Sequence, residues 1–145
     1  MAVFRQAPPV WFWIVAIVFA LWGAMGVYAF YADVTMSEAA RAQLSAYDRN
    51  LLASRPAWFV WLYGISVWSG LIGSAVLLLR SAQARWLFVV ELVTVIAMFG
   101  YIFAVTDLIA VKGFGPAAGF PIFIFAVCVV QIWFVGMTRR RGWIG

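Results

Sequence analysis

Four long apolar segments limit what this chain can fold into. They cover approximately residues 10–31, 57–79, 86–106 and 118–137. A helix needs roughly 20 apolar residues to cross the hydrocarbon core of a bilayer, and each segment has about that length. Of the 145 residues, 67% are hydrophobic and 10% are charged, whereas soluble domains are about half apolar and about a quarter charged. We therefore predict an all-α membrane protein, a single domain over residues 1–145 that forms a four-transmembrane-helix bundle.

The first segment lies where a cleaved signal peptide would lie. Arg5 supplies a positive charge in front of it. However, its apolar stretch is longer than the roughly 7 to 15 residues of a signal-peptide core. We expect an uncleaved span that also acts as the insertion signal.

Arginine is distributed unevenly between the two predicted sides of the membrane. Four spans put both termini and the turn "RSAQAR" on one side. That side carries six arginines, the other side four basic residues, and every acid except Glu91 falls on the second side. The positive-inside rule then predicts that both termini are cytoplasmic. The arginines of the first side are Arg5, Arg80, Arg85, Arg139, Arg140 and Arg141.

The two outer connections differ in composition. In the loop 32–56, Thr35 is followed three residues later by Glu38, a pattern typical of a capping box, and apolar residues then recur at helical spacing. We predict a short amphipathic helix on the bilayer surface or over the mouth of the bundle. The second connection, "AVKGFGPAAGFPIF", is rich in Gly and Pro. It predicts a tight turn with proline near the start of the fourth helix, with a small re-entrant element as the alternative.

One carboxylate lies inside the third apolar segment. Glu91 is about 8 to 9 Å along the helix from the end of that span, at about 1.5 Å per residue. Intramembrane ionisable groups usually face the bundle interior and find a partner. Glu91 either binds a proton, a cation or a polar substrate, or belongs to a fixed hydrogen-bonded cluster that sets the register of the helices. The candidate polar site consists of Glu91 with Gln131 and Ser74 at matching depth, Thr94 one turn away, and Arg85, which could reach inward from the interface.

Small residues recur along one face of each of the first two spans. At helical spacing, such residues let two backbones approach closely in lipid. They predict that the first two helices pack together, or that one of them packs against another subunit. The packing candidates are Ala16, Ala20 and Gly23 in the first span and Ser66, Gly70 and Gly73 in the second.

Catalytic and metal chemistry have little support in this sequence. Histidine, the commonest metal and haem ligand and the usual proton shuttle, is absent from the chain. No nucleophile lies beside a plausible base, and Cys128 fits a small apolar filler. We predict no enzyme activity, no cofactor and no metal site. The arginines are spread along the chain, which does not favour a nucleic-acid partner.

Several segments carry a family likeness. "PPVWFWIVAIVFALWGAMGVYAF", "VTMSEAARAQL", "RPAW" and "RRRGWIG" resemble a group of small four-transmembrane-helix bacterial inner-membrane proteins commonly labelled "sugar transporter". The likeness covers nearly the full length, from residue 8 to residue 145. It implies a bacterial inner-membrane location and, less directly, transport, and it brings no sugar-binding residues with it.

Two hypotheses for function follow. The first is a non-catalytic accessory or scaffold subunit that packs against a larger membrane complex. The alternative is an oligomeric carrier of a small solute, sugar-like or coupled to a cation or proton, that uses Glu91. In both cases the expected partners are the lipid bilayer and either another membrane protein or further copies of the chain.

Overall fold

The computed structural model describes residues 6–145, and this part of the chain consists of helices joined by short turns. Arg5, part of the predicted charge asymmetry, lies outside the described residues. The helices are α1 (Val10–Val34), α2 (Glu38–Ala42), α3 (Ala46–Ala53), α4 (Ala57–Leu78), α5 (Ala84–Val105), α6 (Leu108–Lys112) and α7 (Phe114–Arg140). Within residues 6–145, four helices are long and apolar enough to cross a membrane, namely α1, α4, α5 and α7. The predicted all-α four-helix bundle is therefore confirmed.

The fourth span is longer than predicted. It begins at Phe114 rather than near 118 and ends at Arg140 rather than near 137. Pro116 lies in the first turn of α7, where a missing backbone N–H breaks no helical hydrogen bond. Gly113, with φ of 84°, separates α6 from α7. The second outer connection is thus a short helix followed by a glycine break, because only glycine adopts this backbone conformation without strain.

The four long helices form a bundle. Helix α4 packs against α1 and α5, and α5 also packs against α7. Between α1 and α7 the contacts are made mainly by aromatic side chains. The Phe134 ring lies 5.8 Å from the Phe12 ring and 5.5 Å from the Phe19 ring, measured between centroids.

The half of the bundle nearest the two termini is filled by buried side chains, which we call the terminal-side core. In lipid, such packing stabilises through van der Waals contact, because hydrocarbon surrounds the helices on the outside as well. All four long helices and the C-terminal tail contribute. The members are Phe12, Ala16, Phe19, Leu77, Ala84, Phe88, Phe134, Val135, Trp143 and Ile144.

Glycines set the helix spacing on both sides of α4. A Cβ added at Gly23 would lie 2.8 Å from the Leu71 Cα, so α1 and α4 are in backbone contact there. Gly73 faces α5 instead, where an added Cβ would lie 2.9 Å from the Phe88 ring. Among the other packing candidates, Ala16, Ser66 and Gly70 are buried and Ala20 is partly buried.

Helices α4 and α7 end with the same hydrogen-bonded reversal. At the end of α4, the Ser81 N–H donates to the Val76 carbonyl at 3.2 Å, and Arg80 takes the left-handed conformation with φ of 60°. At the end of α7, the Trp143 N–H donates to the Thr138 carbonyl at 3.0 Å, and Gly142 has φ of 73°. This is the Schellman arrangement, which glycine usually completes. An arginine at this position is strained by about 1 kcal/mol.

Arg80 joins both termini to the turn between α4 and α5. Its Nε donates to the Trp143 carbonyl at 2.8 Å, and its Nη2 donates to the Gln6 carbonyl at 2.7 Å. The Arg80 carbonyl accepts from the Gly145 N–H at 3.0 Å. The termini and this turn therefore share one end of the bundle, as an even number of crossings requires. That this end is cytoplasmic stays a prediction.

The predicted capping box in the first outer loop is wrong. Helix α1 continues to Val34, and the Thr35 hydroxyl donates to the Tyr31 carbonyl at its end. The N-cap of α2 is Ser37, whose hydroxyl accepts a hydrogen bond from the Ala40 N–H at 3.1 Å. The loop thus forms two short helices, α2 and α3, where we predicted one.

Helix α3 is fastened to the connection between α5 and α7. The Tyr47 hydroxyl donates to Asp107 at 2.8 Å, and the Lys112 ammonium lies 2.9 Å from Asp48. The hydrogen bond from Lys112 lowers the pKa of Asp48. Partial desolvation, with the nearby Asp107, raises the pKa of Tyr47. These polar contacts hold the loop over the outer end of the bundle.

Replacing Gly23 with alanine should destabilise the protein by about 1 to 3 kcal/mol, because the new methyl group would overlap backbone atoms of α4. Gly100→Ala is the matched control, since an added Cβ there meets nothing within 4 Å. It should be neutral or stabilise by about 0.5 to 1 kcal/mol through helix propensity. The measurement is the free energy of unfolding in mixed detergent micelles. Equal effects of the two changes would contradict the close approach of α1 to α4.

Two substitutions at Arg80 separate its side-chain bonds from its backbone strain. Both Arg80→Gly and Arg80→Ala should lose about 2 kcal/mol with the two hydrogen bonds. Arg80→Gly should recover about 1 kcal/mol of this loss, because glycine, unlike arginine and alanine, is not strained in the left-handed conformation. The same unfolding measurement applies. The exposed Arg139→Ala is the control and should change stability by less than about 0.5 kcal/mol.

Candidate functional site

Glu91 lies inside the bundle, with 5% of its surface exposed. Helix α5 turns the side chain toward α4, where Gly70 leaves the room that it occupies. A Cβ at Gly70 would lie 2.8 Å from the Glu91 Oε2. On the other side, the Cys128 thiol of α7 lies 3.5 Å from the Glu91 Oε1 and donates a weak hydrogen bond.

The hydroxyl groups predicted near Glu91 bond to their own helices. The Ser74 hydroxyl donates to the Gly70 carbonyl at 2.9 Å. The Thr94 hydroxyl donates to the carbonyls of Val90 and Glu91, at 2.9 Å each. In a helix, serine and threonine commonly satisfy themselves on a carbonyl three or four residues earlier. Neither hydroxyl therefore donates to the Glu91 carboxyl group.

Arg85 does not reach the carboxyl group. Its side chain is exposed at the start of α5. Within residues 6–145, the ion pairs join Arg55 to Asp33 and Lys112 to Asp48, and neither involves Glu91. The buried acid is thus not neutralised by an arginine from the described part of the chain.

Buried polar atoms near the middle of the bundle have no hydrogen-bond partner among the described residues. They are the Oε2 of Glu91 and both polar side-chain atoms of Gln131. Gln131 is fully buried and lies on α7 one turn beyond Cys128. Nearly all buried polar groups in native proteins are hydrogen-bonded, so groups that are not often mark a functional site.

A cavity of about 430 Å³ extends from Glu91 toward the outer end of the bundle. All four long helices line it. Glu91 is the lining residue of α5 nearest the start of that helix, and the remaining lining residues lie at outer levels. Beyond Glu91, the terminal-side core fills the bundle. The cavity is therefore closed toward the termini.

The cavity wall is mainly apolar and aromatic. Tyr63, Ser66 and Arg55 add polar groups besides Glu91. Large apolar side chains dominate the remainder, among them Trp22, Phe59, Met98, Phe99, Phe120 and Ile124. A concave apolar wall with few polar groups is the usual form of a small-molecule site.

An ion pair stands at the outer rim of this cavity. Arg55 Nη1 lies 2.8 Å from Asp33 Oδ2, and the two side chains are 26% and 22% exposed. The Arg55 guanidinium also lies 4.9 Å from the centroid of the Phe59 ring. The charge of Arg55 is thus balanced locally, whereas the Glu91 carboxyl in the lining has no ion-pair partner among residues 6–145.

Two groups beside the Glu91 carboxyl are not among the predicted members of the polar site. Gly70 was assigned to helix packing and Cys128 to apolar filling, yet both lie against Glu91. Cys128 lies three residues before Gln131 on the same helix. That spacing was the available signal, since residues three or four apart share a helix face.

Fold and site together define a small multi-pass α-helical membrane protein with a cavity that ends at a buried acid. No protein family, curated protein or solved structure matches this chain. Within residues 6–145, no group of three or more histidine, cysteine or acidic residues is placed to hold a metal ion.

A hydrophobic carbodiimide should modify Glu91 selectively, because an apolar reagent partitions into the cavity and meets this carboxyl at its end. Mass spectrometry of peptides from treated protein measures the modified fraction. Glu91→Gln should reduce modification of this peptide to background. A water-soluble carbodiimide should prefer exposed acids such as Glu38. Equal modification of Glu91 and Glu38 by both reagents would contradict the buried, apolar position of the carboxyl.

Proposed function

We propose that this chain binds a small, largely apolar solute inside the membrane and acts as its carrier, with Glu91 as the polar anchor. The observation that carries the proposal is a cavity of about 430 Å³ lined by Glu91, whose buried Oε2 has no hydrogen-bond partner among residues 6–145. Intramembrane acids that face a cavity commonly mark a substrate or ion pathway.

Buried polar atoms without partners favour ligand binding over a purely structural role for Glu91. A hydrogen-bonded cluster that sets helix register stabilises the fold only when its hydrogen bonds are satisfied, and a partly satisfied one destabilises the fold relative to an apolar core. Glu91 contacts the weak donor Cys128, and Gln131 has no partner among residues 6–145. The arrangement suits a site that a ligand completes.

The two ends of the bundle differ in a way that supports a carrier. Carriers bind their solute near the middle of the membrane and open to one side at a time. Here the cavity lies on the outer side of Glu91, and the terminal-side core blocks the other side. We assign this arrangement to the state in which the site is accessible from the outer end.

An accessory or scaffold subunit is the second candidate, and one surface favours it. Ala97, Gly100 and Ala104 lie on the outside of α5, and all three are exposed. Small residues at this spacing let another helix approach closely in lipid. Either a subunit of a larger complex or a second copy of the chain could pack on this face. Gentle purification from native membranes, followed by measurement of the mass of the complex, distinguishes these two partners.

Location in a bacterial inner membrane with both termini cytoplasmic remains part of the proposal. The support is the distribution of arginine, with Arg85, Arg139, Arg140 and Arg141 at the terminal end of the bundle. The resemblance to small four-span inner-membrane proteins, taken from segments such as "RRRGWIG", fits this location.

Three probes of similar shape test whether the cavity binds solutes. Benzyltrimethylammonium is a cation, neopentylbenzene is its neutral isostere, and phenylmethanesulfonate is an anion. At least one should raise the unfolding temperature of the purified protein by a few degrees, because a ligand that binds the folded state stabilises it. Thermal unfolding in detergent, monitored by tryptophan fluorescence, is the measurement.

Two variants of α1 make this test specific. Ala29 lines the cavity and is exposed, so Ala29→Phe should fill the cavity and abolish stabilisation by the probe. Ala24 is also exposed but does not line the cavity, and Ala24→Phe should bind normally. If none of the three probes stabilises the protein, or if Ala29→Phe responds like wild type, the carrier proposal fails and the accessory subunit becomes the better explanation.

A further inference from the structure

We infer that the solute is a lipophilic monovalent cation, an amine or quaternary ammonium carried on an apolar body. The inference rests on the proposed function, which it deepens by naming the ligand class. Its basis is the juxtaposition of one unpaired buried carboxyl with a wall that is otherwise apolar and aromatic.

Charge balance favours one positive charge on the ligand. A buried carboxylate is costly unless a cation or hydrogen-bond donors satisfy it. Glu91 has one oxygen beside the Cys128 thiol and the other without a partner among residues 6–145. At the rim, Arg55 is balanced by Asp33 at 2.8 Å and adds no net charge. A monovalent cation beside Glu91 would make the occupied cavity neutral.

Aromatic rings in the wall suit such a cation as well. The negative faces of aromatic rings attract alkylammonium groups, and the attraction grows when water is excluded. Three rings, those of Trp22, Phe99 and Phe120, line the cavity together with Glu91. A fourth, Phe59, already receives the Arg55 guanidinium at 4.9 Å. The wall therefore offers contact surface to the apolar body and to the alkyl groups around the charge.

A sugar fits this cavity poorly. Each of its several hydroxyl groups needs a hydrogen-bond partner when it leaves water. Among the described lining residues, hydrogen-bonding side chains are Glu91, Ser66, Tyr63, Arg55 and the indole N–H of Trp22, and Arg55 is engaged by Asp33. Most hydroxyls of a sugar would face Met98, Phe99 and similar side chains. An amine on an apolar body instead has one polar group, which would lie beside Glu91, while its apolar part contacts the apolar wall.

The three probes, compared on wild type and on Glu91→Gln, test the inference. Benzyltrimethylammonium should bind wild type about tenfold more tightly than neopentylbenzene, and phenylmethanesulfonate should bind least. Glu91→Gln keeps the volume of the side chain but removes its charge. It should lose the preference for the cation, roughly a tenfold fall in affinity, and still bind the neutral isostere.

A protection experiment on the wild-type protein covers the case in which Glu91→Gln does not fold. Benzyltrimethylammonium should slow the reaction of Glu91 with a hydrophobic carbodiimide, whereas the same concentration of phenylmethanesulfonate should not. Protection by the cation supports the inference. Equal protection by both ions overturns it.

The outcomes separate this inference from the proposed function. If neopentylbenzene stabilises wild type and the cation does not, the cavity binds solutes but the inference of a cation is overturned. If the cation binds wild type and Glu91→Gln equally well, the charge is held elsewhere and the inference is overturned too. If no probe binds, the proposed function and this inference fail together.

Discussion

The structure depends on one constraint, the absence of water from the hydrocarbon core, which requires each polar group of a span to find its partner inside the protein. Backbone groups meet this demand through the helices. Ser74 and Thr94 meet it through carbonyl groups of their own helices. Glu91 and Gln131 do not meet it within the described chain, and Glu91 lies where the packed half of the bundle gives way to the cavity. The exception to the rule and the change in packing thus occur at the same level of the membrane.

The two halves of the bundle are held by different physical means. Near the termini, close packing is reinforced by polar contacts that run through Arg80 to Trp143 and Gln6. Toward the outer end, the helices surround the cavity, and ion pairs at the loops add to aromatic contacts such as Phe30 with Tyr63. Exposed ion pairs contribute little stability, typically less than about 1 kcal/mol. The outer half, which contains the cavity, is therefore the half that can rearrange at lower cost.

Apolar length alone predicted the four spans, because hydrocarbon thickness leaves few alternatives for segments of this composition. The ends of elements were less predictable. Thr35 followed by Glu38 is typical of a helix start, but α1 continues to Val34 and Thr35 is its C-cap residue. Counting residues predicted Gln131 at the depth of Glu91, whereas the α7 residue in contact with the carboxyl is Cys128, one turn earlier. That Gly70 and Cys128 would lie against the carboxyl did not follow from counting, because helix rotation is decided by packing across three helices. The cavity could not be predicted from any single segment, because residues of all four long helices line it.

Gly70 shows how packing and chemistry are joined in this bundle. A small residue in a membrane helix normally serves close approach of a neighbouring backbone, and Gly23 does so against Leu71. At Gly70 the space is filled by a carboxylate instead of a backbone, since an added Cβ would lie 2.8 Å from Glu91 Oε2. The same helix thus uses one glycine-sized gap to bring α1 close and another to admit an acid from α5. Without the second gap, α4 and α5 could keep their contact only if the carboxyl group moved, so the position of the acid is built into the packing of these two helices.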